Sequence, residues 1–187
     1  MLVGLFKFEH RGVIMKIIQK PKPGEYPEYA SMYIDLLPDD GLVLTHLEEN
    51  FRITKNFILS LPEEKLLYRY APGKWTIKEI LVHIIDDERI YSYRALRFAR
   101  NDNTNLPGFE QDDFAIHSKA NERALQNIFE EYEAVRKSTI TLFNGLHDET
   151  LTREGFADNN KATVRALAYH IAGHELHHIS FIKENYI

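Results

Sequence analysis

The 187-residue chain has no cysteine. That excludes disulfides, thiolate ligands and cysteine nucleophiles, and leaves any metal site to histidine and carboxylate. Long apolar runs are missing as well; no stretch approaches the roughly 20 residues needed to cross a bilayer, so no membrane partner is expected. Positive charge is not in excess. Twenty-three Lys and Arg stand against 28 Asp and Glu, for a formal charge of −5. No predicted helix carries a basic stripe, which argues against nucleic-acid binding. Internal repeats and low-complexity tracts are also absent.

A signal peptide is only loosely imitated. In MLVGLFKFEHRGVIM the charged residues Lys7, Glu9 and Arg11, with His10, interrupt the apolar core, and no small-residue cleavage site comes after it. The expectation is a cytoplasmic protein, with Met15 as an alternative start. The rest of the composition, 44% hydrophobic and 27% charged, is that of a globular domain long enough to bury a core.

Residues 1–38 read as an N-terminal arm packing on a single domain, 39–187. Pro21, Pro23, Pro27 and Pro38 predict an extended course over 19–40 rather than a helix, with Tyr26, Tyr29 and Tyr33 lying flat against the bundle. Four amphipathic helices come next, and no convincing period-2 strand. The first runs from about Gly41 to Leu61, with Val43, Leu44, Leu47, Phe51, Thr54, Ile58 and Leu61 as its stripe. The second starts near Trp75 or Thr76 and ends near Arg100. The third covers Lys119 to Leu146, and the fourth Thr163 to Glu184 with Thr163 as cap. The fold class is therefore all-α, a four-helix bundle. Its connections are longer than those of up-and-down hairpins, and 101–118 is the best candidate for a crossover.

What the chain does have is histidine: four of its nine, His170, His174, His177 and His178, fall within nine residues of the last helix. With Ile171 at zero and about 100° per residue, His178 falls at about −20°, His174 at about −60° and Glu175 at about +40°, all inward. His170 and His177 fall on the flank. Two buried imidazoles and a carboxylate need satisfying, either by a cation or by a metal-free hydrogen-bonded cluster. His83, at the border of the second helix's stripe, is the candidate third ligand, with Asp87 one turn later and Arg94 on the same side beyond it. Three protein ligands would leave a coordination position open for water or substrate. His46, His117, His10 and His147 read as surface or incidental residues. The H-E-x-x-H of 174–178 imitates a zinc-protease motif, but no histidine occurs within the nine remaining residues and no sheet frames a substrate.

GKWTIKEILVHIIDDE at 73–88, NLPGFEQDDF at 105–114 and VRALAYHIAGHELHHISFIKE at 164–184 resemble the DinB/YfiT-like family of metalloenzymes, as does YIDLLPDDGLVLTHL at 33–47. The resemblance implies a four-helix bundle with a crossover and a divalent ion, nickel or zinc, on His83, His174 and His178. It also implies a homodimer. The function expected is a small-molecule transferase, in the first place one using a low-molecular-weight thiol cosubstrate, or a hydrolase. Glu175 or Asp87 would act as base or orient a ligand. The alternative is a non-catalytic dimeric metal-binding or stress-response scaffold.

Overall fold

In the computed structural model, residues 15–187 are described in full, together with the backbone of 9–10 and 13–14, which pair as a short antiparallel ladder. The remainder of the segment 1–14, including the expectation about its start, lies outside the described residues. Four long helices dominate: α1 (Val43–Leu59), α2 (Ile77–Ala99), α3 (Leu125–Gly145) and α4 (Val164–Asn185). None among the described residues is long and apolar enough to cross a membrane.

The helix starts obey local chemistry. Thr76 caps α2 in a full capping box, its side chain accepting from the Glu79 N–H while the Glu79 carboxylate accepts from the Thr76 N–H. Thr163 caps α4 by accepting from the Ala166 N–H at 3.3 Å. The third helix begins later than the sequence predicts. Lys119 takes a left-handed conformation (φ 53°), a 3-10 turn covers Ala120–Glu122, and α3 starts only at Leu125.

Each of α1 and α2 packs against both α3 and α4, so α1 and α2 lie diagonally, as do α3 and α4. Contacts fix the directions. Ser92 meets Thr139 and Glu88 meets Arg136, so α2 and α3 are parallel neighbours. Asn50 reaches Ala172 and Thr54 reaches Glu175, so α1 and α4 are parallel as well. The start of α2 meets the end of α4, where the Tyr186 hydroxyl donates to the Trp75 carbonyl. Parallel neighbours cannot be joined by a tight turn, and the connection from α2 to α3 must return along the bundle. The crossover therefore falls at 101–118, where the connection lengths placed it.

Two further elements depart from the sequence reading. The arm is not wholly extended. A 3-10 turn at Glu28–Ala30 runs into a helical turn at Ser31–Ile34, because Pro27 sits just before it and no further proline occurs until Pro38. The α3–α4 connection also folds into an antiparallel hairpin, β1 (Glu154–Ala157) and β2 (Asn160–Thr163). Its two-residue turn, Asp158-Asn159, has φ of 50° and 59°, the conformation of a hairpin turn. The alternation is present but inverted: Gly155 and Ala157 are buried while Phe156 is exposed. A Cβ at Gly155 would lie 2.0 Å from the Phe98 ring, so only glycine fits the inner face there.

The apolar core is in two parts. One gathers Val43, Leu47, Phe98, Phe143 and Leu167, with Ile18 and Ile34 from the arm. The other gathers Ile58, Ile80, Ile84, Phe129 and Ile182. Between them, at mid-height, lies a buried polar layer of His83, Asp87, Glu88, Arg136, His170, His174 and Glu175.

Candidate metal centre

Adjacent residues on a helix point about 100° apart, and this divides the polar layer in two. On α2, Asp87 faces one way and Glu88 another; on α4, His174 and Glu175 do the same. Asp87 and His174 meet on the side covered by the arm. Glu88 and Glu175 meet Arg136 of α3 on the opposite side.

On the first side, His83 of α2 meets His174 and His178 of α4. The Nε2 atoms of His83 and His174 are 3.1 Å apart, and those of His174 and His178 are 3.0 Å apart. Potential ligand atoms of all three lie within 4.8 Å of one another. His83 and His174 are buried and His178 is half-buried. Burial lowers the affinity of all three for a proton: His83 falls below its usual value, His178 falls to about 3, and His174 lies well below the ordinary range. Neutral imidazoles with free Nε2 lone pairs are the form that binds a cation.

The spacing suits an ion. Nitrogens about 2.0–2.1 Å from one metal lie about 3.0 Å apart at right angles and about 3.4 Å apart in a tetrahedron. The two shorter separations fall in that range. A second observation points the same way. Asp87 Oδ2 is buried, 3.4 Å from His174 Nδ1, yet has no hydrogen bond of good geometry. A small adjustment that tightens this contact would put the His174 proton on Nδ1 and turn its Nε2 lone pair towards the cluster. Burial alone would raise the Asp87 pKa, but the imidazoles of His174 and His170 outweigh it and hold the carboxyl below its usual range. The residues therefore fit a divalent ion bound by three imidazoles, with Asp87 orienting one of them.

The walls are aromatic. Trp75 lies against His83 with ring centres 4.8 Å apart. Tyr33, from the helical turn of the arm, sets its ring edge-on to His170, His174 and His177 at 5.0–5.3 Å. It comes this close because Gly173 has no side chain; a Cβ there would lie 2.1 Å from the Tyr33 carbonyl oxygen. His170, on the flank of the α4 stripe, is buried. It stacks on Tyr91 (3.8 Å, 1° between planes), and its Nε2 lies 3.5 Å from Asp87. The signal for it was its spacing, one turn before His174 and two before His178.

Glu175 is not brought to the cluster. It is fully buried, with Oε1 accepting from the Thr54 hydroxyl at 2.7 Å and Oε2 from Arg136 Nη2 at 2.9 Å. Arg136 also grips both oxygens of Glu88 at 2.9–3.1 Å and donates to the Leu47 carbonyl. This triad ties α1, α2, α3 and α4 together. The sequence places Glu175 inward, which it is, but one dimension of facing does not say towards which neighbour. Both oxygens are committed to Thr54 and Arg136, on the side of the polar layer away from the three imidazoles.

Residues 46–182 match the model of the DinB superfamily. A 126-residue stretch, 66% of this chain, is 29% identical to a relative from Oceanobacillus iheyensis named "Putative metal-dependent hydrolase" and spans 72% of it. A solved structure, YfiT from Bacillus subtilis, matches with a TM-score of 0.65 over 89% of this chain and 91% of that one. At 16% identity the likeness establishes the fold. That structure is described as a probable metal-dependent hydrolase with an unusual four-helix bundle topology.

Proposed function

The chain belongs to the DinB superfamily, and from that premise we propose that it is a metal-dependent enzyme acting on a small molecule, its divalent ion held by His83, His174 and His178. The observation that carries the proposal is the convergence of three imidazoles from two helices at mid-height of the bundle, with His83 and His178 Nε2 each 3.0–3.1 Å from His174 Nε2. An all-imidazole set suits nickel or zinc and leaves the ion's charge undiminished. When bound, such an ion polarises an electrophile, acidifies water or binds a thiolate. The protein's own part is to aim and to shield. Asp87 orients His174, while Trp75 and Tyr33 keep bulk water from the ligand rings.

Two reactions suit this site. Hydrolysis is favoured by the names of the relatives. Transfer of a low-molecular-weight thiol is favoured by the shortage of a free base: among the described residues, no carboxylate but Asp87 comes within ion-pair distance of these histidines. An ion held by His83, His174 and His178 would lower the pKa of a bound thiol enough for solvent or buffer to take its proton, without a carboxylate base.

Elemental analysis of untagged protein tests the site. The expected result is about one equivalent of metal in the native protein, lost in both H174A and H178A; full retention in both refutes it. Ester, amide and thiol–electrophile panels run on metal-loaded and metal-free protein then separate the two reactions. Equal rates with and without metal would instead favour a non-catalytic scaffold. The homodimer and cytoplasmic setting belong to the same proposal, the first read by sedimentation at native metal content.

A further inference from the structure

Beyond the histidine cluster, on the other side of His170, a small recess opens between α2, the arm and the hairpin. Its volume is about 30 Å³, room for a carboxylate group or one to two waters. Polar groups line it: Arg94 and Tyr91 from α2, His170 from α4, Tyr29 from the arm and Asn160 from β2. Three of them, Arg94 (7% exposed), Tyr91 (8%) and His170 (4%), are more than nine-tenths buried.

Arg94 is the unusual member. A buried guanidinium is ordinarily paired with a carboxylate. Among the described residues no acid lies within ion-pair distance of Arg94, and its Nε and Nη1 have no protein acceptor. Its Nη2 donates to the Pro107 carbonyl of the crossover at 3.2 Å, and its guanidinium lies 4.9 Å from the centre of the Tyr91 ring. Those two contacts hold the group in place without neutralising it. The Tyr29 and Tyr91 hydroxyls meet at 3.5 Å on the same wall, while His170 presents its ring and turns Nε2 towards Asp87. A buried cation without a counter-ion, beside spare donors and a void of carboxylate size, is an anion site in all but its anion.

We propose that this recess binds a carboxylate group, paired with Arg94 and within reach of the tyrosine hydroxyls, the rest of the ligand extending outward past the half-exposed Tyr29. The planar fork of arginine matches a carboxylate edge. The apolar wall of Phe98, Ala166 and Leu167 suits a short aliphatic or aromatic carbon next to it. His170 separates the recess from Asp87 and the three histidines, so the site stands apart from the metal ligands and is not a coordination position.

The test is a titration of the full-length protein with acetate and propionate at constant ionic strength, observed through the Arg94 Nε–H resonance by NMR. Saturable movement of that resonance with carboxylates, and none with chloride, is the expected result. In R94K the charge stays but the fork is lost, and carboxylate affinity falls about tenfold or more, equivalent to one charge-assisted hydrogen bond. H83A, which removes a cluster imidazole and leaves the recess intact, keeps wild-type carboxylate affinity. An Arg94 resonance that stays put up to about 100 mM acetate overturns the proposal, since a site that weak discriminates nothing. So does equal affinity in a folded R94K, or a shift that chloride reproduces. If phosphate competes better than either carboxylate, the carboxylate assignment falls.

Discussion

Replacing Arg136 by methionine should cost far more than replacing Glu175 by glutamine, although both residues belong to one buried triad. Arg136 is 3% exposed, Glu88 1% and Glu175 0%, so none of the charges has water to fall back on. The guanidinium donates to both Glu88 oxygens, to Glu175, to the Tyr132 hydroxyl and to the Leu47 carbonyl. R136M leaves two carboxylates facing each other with no counter-ion. Breaking a buried pair in this way costs about 3–5 kcal/mol. For a chain of this length, about 2–4 °C per kcal/mol makes that a fall in Tm of about 6–20 °C. E175Q behaves otherwise. The triad carries one excess negative charge, and an amide can turn its oxygen to Arg136 and its nitrogen to the Thr54 hydroxyl. A neutral bond in place of a charge-assisted one costs about 1 kcal/mol. Replacing all three residues by apolar ones of similar volume should recover part of the R136M loss, because no lone charge is then left buried. Urea denaturation with unchanged m-value, together with thermal scans, reads these differences. An R136M protein within about 1 kcal/mol of wild type refutes the reasoning. E175Q should also keep its full metal complement; loss of metal in a folded E175Q would return Glu175 to the histidine cluster.

Three further outcomes are expected. D87N should keep the fold but bind metal about 10–100-fold more weakly, since the His174 Nδ1 proton loses its charged partner; competition with a chelator measures it. G173A should lower stability by about 1–3 kcal/mol and weaken metal binding too, because the new methyl would meet the Tyr33 backbone at 2.1 Å and push that ring from the histidines. Denaturation and metal competition in one variant should therefore move together. Glu25 clasps the arm to the start of α4 by accepting from Arg165 and Thr163, and the Arg165 bond holds its pKa below the usual 4.5. Its folded value lies below its unfolded one, so this contribution is present above about pH 4.5 and is lost as pH falls through the folded value. Thermal midpoints of E25Q should accordingly depend less on pH over that acid interval, and parallel curves for E25Q and wild type would contradict the assignment.

The four long helices were legible because each carries its own apolar stripe, and two of their starts, at Thr76 and Thr163, carry a local cap. Such signals need no knowledge of the partner. The crossover came from connection length alone, since a chain that must run back along a bundle needs residues to do it. The hairpin was hidden for the opposite reason. Its buried positions are Gly155 and Ala157, small enough to let Phe98 approach, and its large apolar residue Phe156 faces out, so hydrophobic alternation says nothing there. The helical turn in the arm is masked by the prolines around it, although the interval between Pro27 and Pro38 is free of them.

For the candidate site the division is similar. Sequence periodicity singled out His174 and His178 and suggested His83, because the number of residues per helical turn decides which side chains share a face. It could not say that Glu175 faces Arg136 and Thr54, nor that His170 lies buried between Tyr91 and Asp87. Inwardness is a property of one helix, but the neighbour a side chain meets depends on how four helices are arranged. Sequence by itself determined the helices, their inner faces and the histidines able to share an ion. Only tertiary structure decided which carboxylate stands beside them, which is locked into a salt-bridged triad, and that Arg94 is buried without an acid, because those pairings are made between elements far apart in the chain.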